Sequence, residues 1–214
     1  MTNMTIAPVS NSSIIADFVG GSSSVMDVAM MIGVGLVKDS EAVFFQYLGE
    51  DQKPRALTVP TSGKPVYKFQ NVKLVGIDIA EDIGEFNSTK LNVYLESSAG
   101  NVVLVTSGLT TLWSQAALTA FMGLFDTQQL DTPFTLNSWK GDQGMRPCFA
   151  SIKIGKDKMS DQQMYDQLRD ARSDRDYKMI EQIQRDAVSV LRHALGETTP
   201  EPVDVVVEEP KADF

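Results

Sequence analysis

Between residues 66 and 106 the sequence alternates in a way that β-structure satisfies and helix does not. Residues 66–79 form a long β-branched run with Gly76 inside it, where a bulge or sharp bend is expected. Leu91, Val93 and Leu95 then alternate with Asn92, Tyr94 and Glu96, which puts three apolar side chains on one face of a half-buried strand. A polar loop over 81–88 separates these two strands. A tight turn at Ser98-Ala99-Gly100-Asn101 returns the chain as a hairpin partner over 102–106. The period then changes. Leu109, Leu112, Trp113, Ala116, Ala117, Ala120, Phe121 and Leu124 recur at helical spacing. Two short strands follow, 134–138 and 149–154, joined by a glycine-bearing loop that starts at Trp139.

Three strands, a helix and two strands is the element order of an OB-fold. The expected class is therefore mainly β with helices (α+β): a five-stranded OB-fold-like Greek-key barrel with an N-terminal extension and a long C-terminal helix. Residues 1–24, rich in Ser, Asn and Gly, read as a flexible arm, and 25–159 as the barrel domain with its N-terminal additions. Within those additions, 25–37 is apolar but holds Gly33 and Gly35, so helix and strand are both open; 43–47 reads as a strand. Residues 160–196 read as the C-terminal helix, opened by a capping box from Ser160 to Gln163 and stopped at Gly196. Its apolar stripe is interrupted by a highly charged stretch over 169–178.

Charge is distributed unevenly. The 214 residues carry a net charge of -9, which argues against binding a polyanion. Five of those nine charges lie in 197–214, where Glu197, Glu201, Asp204, Glu208, Glu209 and Asp213 stand against Lys211 among three prolines. That segment reads as disordered. Residues 52–77 hold Lys53, Arg55, Lys64, Lys68 and Lys73 with no acid, and 134–160 adds Lys140, Arg146, Lys153, Lys156 and Lys158 against Asp142 and Asp157. The body is thus close to balanced, with two basic stretches.

Several chemistries are disfavoured. One Cys and one His do not make a His/Cys zinc site or an internal disulfide. No apolar run reaches membrane-spanning length, and the first residues lack a basic secretory leader, so a cytoplasmic setting is expected (the host cytoplasm if the chain is phage-encoded). There is no P-loop, no complete dinucleotide fingerprint and no nucleophile elbow, so neither a cofactor nor a catalytic residue is expected. One enzyme-like feature stands out. The strand Leu74-Val75-Gly76-Ile77-Asp78-Ile79-Ala80 resembles the first strand of RNase H/resolvase-type magnesium nucleases, with Asp78 as metal ligand and Glu81, Asp82, Asp170 and Asp174 as the other acids in reach of the idea. A structural or virion protein that assembles with copies of itself is the second alternative.

Strand binding draws on more residues. Single-stranded nucleic acid is gripped by aromatic side chains that stack on bases and by Lys and Arg that follow phosphates. With Leu91, Val93 and Leu95 inside, Tyr94 faces out. With Ala150, Ile152 and Ile154 inside, Phe149, Ser151 and Lys153 face out together. On the first strand Lys68 and Lys73 are candidates, Lys73 sharing a face with Tyr67 and Phe69. The loop between the last two strands supplies Trp139, Lys140 and Arg146.

The closing residues Glu208-Glu209-Pro210-Lys211-Ala212-Asp213-Phe214 resemble the C-terminus of bacterial and phage single-stranded-DNA-binding proteins, and the whole organisation is most like the short-tailed-phage type. The resemblance implies a non-enzymatic protein that coats exposed DNA strands in replication, recombination or repair. It also implies that Asp213 and Phe214 dock into replication proteins such as a polymerase, helicase, primase or nuclease. This tail is less acidic than the family's and lacks the Pro-Phe ending of the bacterial members.

Overall fold

In a computed structural model, the structure describes residues 28–35, 37, 40–47, 53–83, 88–142 and 147–196. The expected N-terminal arm, the acidic tail with Asp213 and Phe214, and Arg146 lie outside the described residues. Among the described residues nine strands and three helices follow one another in the order β1 (Val28–Val34), β2 (Phe44–Tyr47), β3 (Pro54–Ala56), β4 (Lys68–Ile83), β5 (Ser88–Ser97), β6 (Val102–Gly108), α1 (Leu112–Asp126), β7 (Phe134–Lys140), β8 (Cys148–Ile154), β9 (Asp157–Met159), α2 (Gln162–Ser173) and α3 (Tyr177–Ala194).

The three-strand meander, the helix and the hairpin fall where the periodicity places them. The closed five-stranded barrel does not form. All nine strands belong to one open, mixed sheet in the order β3-β2-β1-β6-β5-β4-β7-β8-β9. A barrel of the expected kind would join β6 to β8. Instead β6 takes β1 as a parallel neighbour, Val103 opposite Met30 and Val105 opposite Ile32, and β8 takes the short β9. The N-terminal residues, ambiguous in sequence, thus extend the sheet and leave it open. The sheet still curls strongly. Phe44 on β2 and Phe69 on β4 lie four strand positions apart, about 19 Å in a flat sheet, yet their rings meet at 4.8 Å.

Gly76 marks a bulge as expected: the β4–β5 register shifts between Leu74 and Gly76. A second irregularity falls between Phe69 and Val72 on the β7 side, at Asn71 with φ 54°. Each adds one residue and reverses the inward-outward alternation. Phe69, Val72, Leu74 and Ile77 therefore all reach the core, while Lys68 and Lys73 both point out. Lys73 does not share a face with Phe69, as uninterrupted alternation would have it.

Helix α1 closes one face of the sheet. Trp113 is fully buried and donates its indole N–H to Ser138 Oγ at 2.9 Å, and Phe121 meets Phe134 edge-on at 5.9 Å. Thr111 caps the helix by accepting from Ser114 N–H.

The long C-terminal helix is two helices. Chain direction changes at Asp174-Arg175-Asp176, with Arg175 at φ 57°, and Asp176 restarts a helix by accepting from Met179 N–H. Within the charged stretch 169–178 Ala171 alone reaches the core, while the residues around the break, from Arg172 to Lys178, stay at the surface. The first cap is also one residue later than expected. Asp161, not Ser160, accepts from the N–H groups of Gln163 and Met164. Gly196 ends α3 at φ 76°, as its position predicts. No helix among the described residues is long and apolar enough to cross a membrane.

Candidate nucleic-acid interface

The outward face of the sheet can be read row by row from the strand registers, because directly opposed residues point the same way. At one end, Trp139 on β7 pairs with Phe149 on β8. Their rings stack, centroids 6.0 Å apart and planes 22° from parallel, and Trp139 remains 43% exposed. The next row is Lys68, Asn137 and Ser151 across β4, β7 and β8. Beyond it lie Thr135, Lys153 and Lys158 across β7, β8 and β9. Lys153 and Lys158 are both exposed and directly opposite one another, an arrangement that repels unless an anion sits between them. Of the sequence candidates, Lys68, Lys153, Trp139 and Phe149 thus stand on one face, with Trp139 and Lys140 on β7 and not in the loop expected to carry them; Lys158 becomes visible only through its register with Lys153.

A second aromatic station lies on the same outward face at the β2 end. The Phe45 ring covers Gly33 in the neighbouring strand, where a Cβ would run into it, and Tyr47 meets Phe45 edge-on at 5.4 Å while 58% exposed. Facing them across β1 and β6 are Lys90 and Asn92 of β5, around a cleft of about 410 Å³ floored by Leu104, Thr106 and Gly108. None of these residues stands out in sequence. Phe45 and Tyr47 belong to a short strand with no obvious partner, and it is the parallel β1–β6 pairing that carries them to the outer face of β5.

The remaining candidates behave differently. Tyr94 donates its phenol to Asp78 Oδ2 at 2.9 Å, and Asn92 Nδ2 donates to Asp78 Oδ1 at 2.8 Å. Lys73 is exposed but directly opposite Glu96, whose charge opposes its own. The Lys140 ammonium donates to Ser40 C=O at 2.6 Å and so ties β7 to the segment before β2. Cys148 is half-buried, and burial pushes its thiol above the ordinary value against a smaller opposite pull from Lys140. That makes it a poor nucleophile.

Asp78 is the residue on which a magnesium nuclease would depend. Both its oxygens are engaged by neutral donors of β5, and no three Asp, Glu, His or Cys side chains group as a metal site among the described residues. Glu81 is held elsewhere: it accepts from Arg185 of α3 and from Thr89 of β5, which keeps its carboxyl below the ordinary range. Asp170 and Asp174 belong to the end of α2, where Asp170 pairs with Arg169.

Comparison of the chain with protein-family models, curated proteins and solved structures gives no match.

Proposed function

We propose that the outer sheet face binds single-stranded DNA and that the protein coats exposed strands, without catalysing a reaction, in replication, recombination or repair. One observation carries this: a stacked, solvent-facing Trp139–Phe149 pair stands on the same face as the lysine row Lys153–Lys158 and Lys68. Bases stack on the aromatic pair, and phosphates bridge the opposed lysines, whose mutual repulsion an anion relieves. The Tyr47–Phe45 station with Lys90 offers the same chemistry at a second place on the face. Such binding tolerates any base sequence, because every base has a π-face and every nucleotide a phosphate.

The acidic segment 197–214, with Asp213 and Phe214, is the proposed contact to replication proteins, in a cytoplasmic setting. Phe214 supplies apolar burial and the neighbouring acids pair with partner Lys or Arg.

The test is direct binding of a thymidine oligonucleotide at low salt. Replacing Trp139 by Ala removes a stack worth about 1–3 kcal/mol and should weaken affinity about 5- to 150-fold. Wild-type protein that leaves the oligonucleotide free at low salt contradicts the proposal outright.

A further inference from the structure

Where α1, α2 and α3 converge they enclose a groove of about 340 Å³, and none of the residues lining it belongs to the sheet. Its floor is apolar: Met122 of α1, Met164 of α2, and Ile183 and Val190 of α3. Three carboxylates, Asp126, Asp161 and Asp186, stand around it, and among the described residues no Lys, Arg or His lines it. Among the described residues the hydrogen bonds of Asp161 and Asp186 are to neutral groups. Asp161 caps α2, and Asp186 accepts from Gln182 at 2.8 Å.

Asp126 is the least comfortable of the three. It is the last residue of α1, at the negative end of the helix dipole. Partial burial and then the charge of Asp161 push its carboxyl above the ordinary value. A carboxylate opposed by dipole, burial and a like charge gains most when a cation arrives. The floor asks for something else: the exposed Val190 and the half-buried Met122 and Ile183, above the buried Met164, are stabilised when apolar groups cover them, and methionine adapts to groups of varied shape.

We propose that this groove docks a cationic amphipathic segment of a partner protein, apolar side chains on the Met122–Met164–Ile183–Val190 floor and Lys or Arg on Asp126, Asp161 and Asp186. Charge complementarity selects this occupant, since an acidic or neutral segment would leave three carboxylates facing buried apolar surface. The interaction is separate from strand binding, because it uses helices only.

The probe is a synthetic helix with Leu at i, i+3, i+4 and i+7 and Lys elsewhere, added to full-length protein carrying methyl-labelled methionine. The methyl resonances of Met122 and Met164 should move, and a peptide with Glu in place of Lys should leave them still. Val190→Glu and Asp186→Lys change exposed positions, so the variants should melt as the wild type does. Each should weaken the Lys peptide about tenfold or more and leave oligonucleotide affinity unchanged. The proposal is overturned if the Lys peptide does not move Met122 and Met164, if the Glu peptide moves them equally, or if both variants bind it as wild type does. Movement of the two methyls on raising protein concentration alone would assign the groove to a second copy of the chain and overturn it as well.

Discussion

Trp139 and Trp113 are the two tryptophans of the chain, one 43% exposed beside Phe149 and the other fully buried against Ser138. Any change in indole emission on adding an oligonucleotide therefore reports the interface, and Trp139→Ala should abolish the change as well as weaken binding. The lysines are not equivalent. Lys153 faces Lys158 across the ladder, whereas Lys73 faces Glu96. Lys153→Ala should lower the slope of log affinity against log salt by about 0.7, the share of one single-strand phosphate. Lys73→Ala should leave that slope as it is; an equal fall for both would show that register does not select the contacts. Period two made Phe149 and Lys153 legible in sequence, because β7 and β8 run without a bulge; Trp139, expected in the loop with Lys140, instead continues β7, which runs to Lys140. The same rule misplaced Lys73 relative to Phe69, because Asn71 at positive φ inserts a residue that nothing in the local pattern announces.

Helices α1 and α3 are fixed by contacts that single substitutions can probe. In α1 Gly123 approaches the chain before α2 so closely that a Cβ would stand 2.5 Å from the Ser160 backbone nitrogen. Helix propensity favours Ala over Gly by about 1 kcal/mol, but neither backbone can yield. Gly123→Ala should therefore destabilise by about 1–2 kcal/mol net, read as a lowered melting temperature; a raised one would mean that the two segments can part. Helix α3 is clamped to the end of β4 by Arg185, which bonds Glu81 at 2.5 Å and Glu181 at 2.6 Å. The bond to Arg185 lowers the carboxyl of Glu81 below its unfolded value of about 4.3. Its contribution is complete above that pH and is lost as pH falls through the lower folded value. Glu81→Gln should accordingly lower the melting temperature at pH 7 and make no difference at pH 2, a convergence that thermal scans at the two pH values check. The break between α2 and α3 was half legible: the charged stretch 169–178 marks it, but the cap at Asp176 depends on Arg175 taking a left-handed turn.

At the scale of the whole molecule, element order was readable and closure was not. Alternation and helical spacing locate each element from β4 to β8 because those patterns are local. Whether the sheet closes depends on what lies beside β6 and β8, and the answer comes from the β1 strand about seventy residues upstream in parallel register. That pairing replaces the barrel with a curled open sheet and also brings Phe45 and Tyr47 onto the outer face. Net charge misleads at this scale in a similar way. A chain at -9 presents one face with Lys68, Lys153 and Lys158 beside stacked aromatics, because most of its excess acid lies in 197–214. The central claim is that this face holds a single strand by stacking and phosphate contact, and a salt titration of oligonucleotide binding, followed through Trp139 emission, tests it most directly. Three phosphate-bound lysines predict tight binding at low salt and a log–log slope of about -2. A slope near zero, or emission that never responds, would contradict the account.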